Sequence, residues 1–509
     1  MSMMATPFTK PRQSAIGLIK ALGADPATLP RSRPFYRRLV ELIERGISRG
    51  ALAPGWRLPP ERELAEALAV SRATVVAAYR ELEARGLVRG YVGRGTFVSA
   101  TSDGAAPFAW RGKISTTAIE TTDSALRHVM HHATDPAIVS LGAGEPALDL
   151  FPEAAFRQAI DDVLRQHGTA AWGHAPTEGQ MRFREALAHR FGGETENTMV
   201  ISGAQQGLDL LARCLIDRGD TVIVDRPGYL GAIRSFKAAG ARIMGWDFLR
   251  ADMDELEDLL LRYRPKLIYT NPTFQNPTGV TLPIRARREL IELATRYRVP
   301  IVEDETYCEL SLGQATPPPA LNRLDEDGTV VIRVNSFSKA LAPGLRLGWV
   351  GAARPIIEQL ALMKQQIDPQ TANLMQFSVS RLIENGCFDR HVATLRAEHR
   401  RRRDNLARAL QKHAPAGTLR FTPPDGGLFF WCRLPMGMSA SDVQARALER
   451  SVFVVTGEPF YADGGGTREL RLCFSARTPD AATAAAKVLG EVLHEALKRV
   501  RPEALSRIV

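Results

Sequence analysis

The chain has 509 residues, 45% apolar and 24% charged, an ordinary globular composition with room, at roughly 100–200 residues per domain, for two to four full cores. It has no run of about 18 consecutive apolar residues, so no membrane span is indicated, and its N-terminus MSMMATPFTKPRQS lacks the apolar core and cleavage site of a signal peptide. The net charge of +10 is uneven: residues 1–100 hold 16 Lys and Arg against 8 Asp and Glu, or +8, leaving +2 for the rest, which suits either a polyanion partner or a solvated basic surface.

Residues 1–34 read as a proline-containing leader with one short apolar stretch, Ala15–Leu22, expected to be poorly ordered or loosely docked. From Pro34 the pattern tightens. Tyr36, Leu39, Val40, Ile43 and Ile47 recur at helical spacing, and Gly50 follows as a stop. Pro59 and Pro60 then precede a second helix over Glu61–Val70, with Leu64 and Leu68 four apart. Ser71 can cap a third, with Val75, Tyr79 and Leu82 on one face and Gly86 at its end. A hairpin follows: Leu87–Val92, a turn at Gly93-Arg94-Gly95, then Thr96–Val98.

Three short helices and a hairpin make a winged helix-turn-helix. In such a unit the third helix offers its first side chains to the major groove, here Ser71, Arg72 and Thr74. Arg62 lies early in the second helix, and Arg94 tips the wing between Gly93 and Gly95, two glycines that allow close backbone approach. The stretch Arg57–Val98 closely resembles the GntR family of DNA-binding domains. The resemblance implies a domain over residues 35–99, double-stranded operator DNA as partner, a dimer reading a two-fold site, and DNA contacts at Arg62, Ser71, Arg72, Thr74, Gly93 and Arg94.

Residues 100–135 read as a linker, with small polar residues, Trp110 and an amphipathic stretch around Ile119–Met130. Beyond it, short apolar strands at Val222–Asp225, Leu267–Thr270, Pro300–Glu303 and Val330–Val334 alternate with helical stretches, an α/β pattern with a largely parallel sheet. Pro317-Pro318-Pro319 marks a loop, and no internal repeat is found. The five cysteines (Cys214, Cys308, Cys387, Cys432, Cys473) are scattered and without metal-type spacing, which fits free thiols in a reducing cytoplasm.

Several residues in this part carry chemistry. Lys339 lies in Ser336-Phe-Ser-Lys339-Ala-Leu-Ala-Pro-Gly-Leu-Arg346 after an apolar strand, with a hydroxyl three residues before it and an arginine seven after. A lysine amine attacks carbonyls once desolvation removes its proton, while Ser336 and Arg346 can reach a phosphate. Asp304 sits at the C-terminal end of the strand at 300–303, where open α/β sheets bind ligands, and Tyr307 follows three residues on. Ser202-Gly-Ala204-Gln205 precedes a helix, whose first N–H groups bind anions. Tyr229 and Asn276 occupy two further loops.

This set, in this order, resembles the fold-type I aminotransferases of class I/II, from about Pro136 to the C-terminus. The resemblance implies a pyridoxal 5'-phosphate-dependent transferase fold over 136–509, with a large, mainly parallel α/β domain and a smaller α/β domain. It assigns Lys339 the Schiff base with the cofactor, Asp304 the pyridine nitrogen, and Asn276 and Tyr307 the ring O3′. Ala204, Gln205, Ser336 and Arg346 would hold phosphate, Tyr229 would stack, and Arg471, helped by Asn276, would grip a carboxylate. The segment Gly142–Pro152 corresponds to a loop near the substrate, and Gly426-Gly427 to the start of a small-domain strand. His174 stands where the family usually has a tyrosine that reaches the partner subunit's phosphate, which puts that contact in question. The run Arg400–Arg403 is expected on a solvated, partly intersubunit face.

Joined, the two parts resemble the MocR/GabR regulators, which implies a bacterial cytoplasmic transcription factor, a head-to-tail homodimer sensing an amino acid or amine by imine exchange at Lys339. A working aminotransferase that carries a DNA-binding domain stays open as the alternative.

Overall fold

The computed structural model describes residues 15–22, 35–91, 95–99, 113–115, 118, 131–132, 135–314, 316–326 and 328–506. The chain divides into two units, Met1–Thr122 and Asp123–Val509. Gly93, Arg94, Trp110 and the stretch Ile119–Met130 lie outside the described residues.

The first unit contains α1 (Ala15–Leu22), α2 (Phe35–Ser48), α3 (Glu61–Ala67), α4 (Arg72–Ala84) and the antiparallel pair β1 (Val88–Tyr91) and β2 (Gly95–Val98). Pro60 sets the entry to α3, and Glu61 and Glu63 in its first turn suit the positive helix end. The helix stops three residues before the expected Val70. Ala69 takes a left-handed φ of 52° and the Val70 N–H turns back to the Ala65 carbonyl (3.0 Å), with no glycine to mark the turn. The Ser71 Oγ accepts from the Thr74 N–H (3.2 Å) and caps α4. Val75, Tyr79 and Leu82 are buried, and the Tyr79 hydroxyl donates to the Pro59 carbonyl (2.9 Å), tying α4 to the turn before α3.

The expectation of a loosely docked leader fails for Ala15–Leu22. This stretch is a helix whose Leu18 is fully buried in the core formed with Leu39, Ile43 and Leu64. The Ala15 N–H donates to Glu63 Oε1 (3.1 Å). A Cβ at Gly46 of α2 would stand 2.6 Å from Leu22 Cδ2, so the glycine is what lets α1 lie close. Truncating Leu18 to alanine is expected to destabilise this unit by about 2–5 kcal/mol in a urea titration, as for other buried leucines; a change under about 0.5 kcal/mol would mean that α1 contributes nothing to the core.

In the second unit the elements run β3 (Val139–Ser140), α5 (Glu153–His167), α6 (Met181–Phe191), β4 (Thr198–Ile201), α7 (Ala204–Leu215), β5 (Thr221–Arg226), α8 (Leu230–Ala238), β6 (Arg242–Asp247), α9 (Met253–Tyr263), β7 (Leu267–Thr270), α10 (Ile284–Tyr297), β8 (Ile301–Asp304), β9 (Val331–Ser336), β10 (Gly348–Gly351), α11 (Arg354–Gln365), α12 (Asn373–Glu384), α13 (Cys387–His413), β11 (Phe429–Arg433), α14 (Ala440–Leu448), β12 (Val452–Phe453), β13 (Val455–Thr456), β14 (Glu469–Cys473) and α15 (Pro479–Ser506). Seven strands form one sheet in the order β4-β10-β9-β8-β7-β5-β6, parallel except for β10, which is antiparallel to both neighbours. Strands such as β4, β7 and β8 are buried along their length, as aliphatic runs covered on both faces must be. One core joins the sheet to α7, α8 and α11, and another joins it to α9 and α10. The expected strands are present, with ends shifted by a residue or so.

The smaller layer is the antiparallel sheet β11-β14-β13 with α14, α15 and the second half of α13. β3 is not part of the large sheet. It pairs in parallel with β12, Val139 opposite Val452 and Ser140 opposite Phe453.

The arginine run on α13 is only in part the solvated face expected of it. Arg402 is buried, pairs with Asp149 and donates to the Ser475 carbonyl (2.8 Å). Arg400 donates to the Leu312 carbonyl (2.7 Å) and Arg403 to the Pro424 carbonyl (2.8 Å). Helical spacing explains this: Arg402 shares its inner face with His399 and Leu406, three and four residues away. Arg400 and Arg401 are exposed, Arg401 paired with Glu398 (2.7 Å).

Candidate cofactor site and DNA-reading surface

The C-terminal ends of β7, β8 and β9 carry Asn271, Asp304 and the Ser336–Lys339 segment to one edge of the sheet. There they line a cavity of about 140 Å³ with Ala204, Gln205, Tyr229, Asn276, Thr306, Tyr307, Ser338, Pro343 and Arg346. A larger groove of about 690 Å³ lies among Thr278–Thr281, Thr316–Pro318 and Arg420–Asp425, but it offers no comparable cluster of ionisable groups. The chemistry therefore points to the smaller cavity.

Asp304 is buried. Its Oδ1 accepts from the Thr306 N–H (3.0 Å) and its Oδ2 from the Tyr269 hydroxyl (2.8 Å). Burial pushes its pKa up, and these donors and the nearby Lys339 work against that. Asn276 Nδ2 donates to the Tyr307 hydroxyl (3.1 Å), and Arg471 Nη1 donates to Asn276 Oδ1 (3.0 Å). The arginine can only donate, so this contact fixes the orientation of the Asn276 amide. Lys339 Nζ donates to the Gly144 carbonyl (2.5 Å). Burial lowers its pKa to about 8, Arg471 adding to the effect while Cys473, Glu145 and Asp304 oppose it.

Opposite Asp304, Gly203 with φ 86° leads into α7, whose first N–H groups have no partner within the helix. The Gln205 side chain is turned to α8, donating to Ser235 Oγ (2.8 Å), so it is the backbone of Gln205 that can serve an anion. Arg346 also takes a left-handed φ, 50°, and donates to the Ser202 carbonyl (2.9 Å). A Cβ at Gly203 would stand 2.8 Å from its Nη2, so the glycine keeps helix end and guanidinium together. Ser336 Oγ, bonded to Ser338 Oγ (2.8 Å), completes this side. A desolvated amine, a buried carboxylate and an anion cradle within one small cavity fit a phosphorylated pyridine aldehyde.

Nine of the eleven residues expected here line the cavity, Arg471 and His174 being the exceptions. Arg471 stands one layer behind, between Phe429 and Phe460 (4.2 and 4.9 Å from the ring centres). Its Nη2 donates to the Gly142 carbonyl (2.8 Å), and its buried Nε has no partner among the described residues. His174 is exposed and does not line this chain's cavity. Its neighbours Gly173 and Ala175 are held by Asn373 (2.7 Å) and Gln370 (2.6 Å).

The loop between Leu141 and Leu150 is stitched down along its length. Besides the contacts of Arg471 and Lys339, the Glu145 carbonyl accepts from Ser475 Oγ (2.5 Å), the Ala147 N–H donates to His399 Nε2 (3.1 Å), and Asp149 pairs with Arg402. Burial lowers the pKa of His399 to about 3, which keeps the ring neutral and able to accept. Sequence reasoning missed Tyr269, Asn271, Thr306 and these loop partners. The available signals were a tyrosine in an otherwise aliphatic strand and the asparagine opening Asn271–Gly279.

On the first unit, Arg62 pairs with Glu66 (3.3 Å) and Arg72 with Glu61 (3.1 Å), both arginines remaining largely exposed. Surface pairs of this kind are weak enough for a phosphate to displace. Ser71 is engaged by its cap and by Thr74 Oγ1 (2.8 Å).

Residues 136–489 match the family model of aminotransferase class I and II. The chain belongs to that family. Ahead of this class I/II aminotransferase domain, residues 35–98 match the bacterial regulatory proteins of the gntR family. Among similar proteins, 2-aminoadipate transaminase of Thermus thermophilus is 34% identical over 76% of this chain and 98% of its own length. The uncharacterized HTH-type transcriptional regulator YdfD of Bacillus subtilis is 29% identical over 87% of this chain and 93% of its own. The crystal structure of LysN, the α-aminoadipate aminotransferase of Thermus thermophilus complexed with N-(5'-phosphopyridoxyl)-L-leucine, covers 77% of this chain and 100% of its own, with TM-score 0.72 and 34% identity. No helix among the described residues is long and apolar enough to cross a membrane.

Proposed function

We propose that the protein is a pyridoxal phosphate-dependent, DNA-binding transcriptional regulator of the MocR/GabR type that senses an amino acid or amine at Lys339. One observation carries this reading: a half-buried lysine and a buried aspartate share a cavity in a chain that also bears a GntR-type domain. Similarity to a regulator over 87% of the chain, both parts included, supports it.

When bound, pyridoxal phosphate supplies a carbonyl carbon that holds amines reversibly and a ring that withdraws electrons. Lys339 offers an amine that burial has made easy to deprotonate. Asp304 holds the proton on the pyridine nitrogen. Asn276 and Tyr307 face the ring hydroxyl, and Tyr229 covers a ring face. Ser336, Arg346 and the backbone of Ala204 and Gln205 hold the phosphate. Arg471 and Asn276 bind a carboxylate on the effector, and His174 serves the phosphate of the partner subunit in a head-to-tail homodimer. Residues 35–99 bind operator DNA through Arg62, Ser71, Arg72, Thr74, Gly93 and Arg94, and 100–135 link them to 136–509. A bacterial cytoplasmic location goes with this role. The ligand acts by binding one of two conformations more tightly than the other.

The test is an absorbance titration of the loaded protein with amines and amino acids, repeated with its own upstream DNA. A ligand that changes both the spectrum and DNA affinity supports the regulator. The transaminase named among the relatives favours a second reading, a working aminotransferase; multiple turnovers with a keto-acid acceptor and DNA binding indifferent to ligand would establish it instead. Arg72→Ala is expected to weaken binding to that DNA about tenfold and to reduce the salt slope by about one, read by fluorescence anisotropy. An unchanged slope would remove Arg72 from the phosphate contacts.

A further inference from the structure

We infer that Tyr269 is a positioning residue for Asp304, its buried hydroxyl holding that carboxylate ionised and aimed at the pyridine nitrogen. The inference rests on the cofactor reading above and adds a residue to it.

Register explains how the two meet. Tyr269 of β7 pairs with Val302 of β8, and Asp304 lies two residues beyond Val302, on the same face of the sheet. The tyrosine is fully buried, its ring edge-on to Phe236 (centroids 5.7 Å apart), so it has one orientation. Its hydroxyl donates to Asp304 Oδ2 at 2.8 Å. With the Thr306 N–H on Oδ1, each carboxylate oxygen holds one protein donor and keeps lone-pair capacity for one more.

The chemistry requires a donor there. A buried carboxylate drifts towards its neutral form, and a neutral acid does not stabilise a pyridinium. The charged and titratable groups around Asp304 are Lys339, Glu305, Tyr229, Tyr307 and Tyr269. Lys339 favours the anion, but its charge is lost once its nitrogen is bound to a carbonyl and deprotonated. Glu305 disfavours the anion. Burial lifts the Tyr269 pKa well above its ordinary value, so this hydroxyl stays protonated and serves as donor at every working pH.

Tyr269→Phe removes one oxygen and leaves the packing, which makes it a clean test. The full chain is loaded with pyridoxal phosphate, and both the pH midpoint of its visible absorbance and the cofactor dissociation constant are measured. A less positive ring draws less electron density from the Lys339 nitrogen, so that nitrogen holds its proton to higher pH. The midpoint is expected to rise by about one unit and the dissociation constant by about tenfold, the size of one hydrogen bond to a charged group. In an Asp304→Asn background the same substitution is expected to move the midpoint no further, because there is no charge left to hold. An unmoved midpoint in Tyr269→Phe, or an equal shift in both backgrounds, would overturn the inference. Absence of any visible band in the unsubstituted protein would instead remove the cofactor reading, and this inference with it.

Discussion

Lys339→Ala is expected to abolish both the visible absorbance of the cofactor-loaded protein and the response of its DNA binding to amines, while DNA binding itself persists. The structural cost is modest. The Gly144 carbonyl loses its donor, worth about 1 kcal/mol, against a folding stability several times larger. The chemical cost is complete, because the described residues lining the cavity include no other amine. The amine's pKa also fixes how loading depends on pH. Only the neutral amine attacks a carbonyl, and with its pKa lowered to about 8 its neutral fraction grows as pH rises. That fraction is roughly one-tenth at pH 7, one-half at pH 8 and nine-tenths at pH 9. Loading followed by stopped-flow absorbance is therefore expected to speed up about fivefold from pH 7 to 8 and less than twofold from pH 8 to 9. A rate that keeps climbing tenfold per unit up to pH 10 would mean that the amine behaves as an ordinary exposed lysine.

Arg471→Gln is expected to separate ligands by class. Its guanidinium is buried between two phenylalanine rings, so an anion meeting it sheds water and gains strongly. Two charge-assisted bonds at about 1.5–3 kcal/mol each correspond to an affinity loss of about 100-fold or more for amino acids. Amines without a carboxylate are expected to lose far less. Any shared effect on Asn276, which loses its arginine donor, cancels when an amino acid is compared with its decarboxylated amine in the same variant. Equal losses for the two would show that Arg471 supports the pocket without reading carboxylates. In the present arrangement a carboxylate has to use the unpartnered Nε or take a donor from Gly142 or Asn276. Arrival of such a ligand is thus linked to the loop that begins at Gly142.

What the sequence made legible follows from where the chemistry sits. Asp304, Lys339 and Arg346 stand at strand ends or in the turns after them, and their spacing along the chain is enough to gather them. The α4 cap was legible for the same reason, since Ser71 and Thr74 are local partners. Tyr269 was not, because its partner comes from the strand order, which sets β7 beside β8, and not from its own neighbours. Arg402 misled because a run of arginines looks polar, whereas the helix turns one of them inward to Asp149 and Ser475. The docking of α1 depends on Gly46, a residue 24 positions beyond Leu22, and no local pattern announces it.

The pairing of β3 with β12 has a mechanical meaning. Among the described residues the class I/II domain opens on the smaller layer and not on the seven-stranded sheet: His132 lies against Phe453 of β12 (ring centres 5.1 Å apart) and β3 pairs with that same strand. The nine residues after β3 are tied to Arg471 of β14 and Ser475 just beyond it, to His399 and Arg402 on α13, and to Lys339 itself. β3 therefore sits with the part of the fold that carries Arg471. Any displacement of that layer would carry residue 139 with it, because β3 is bonded to β12 and to no strand of the large sheet.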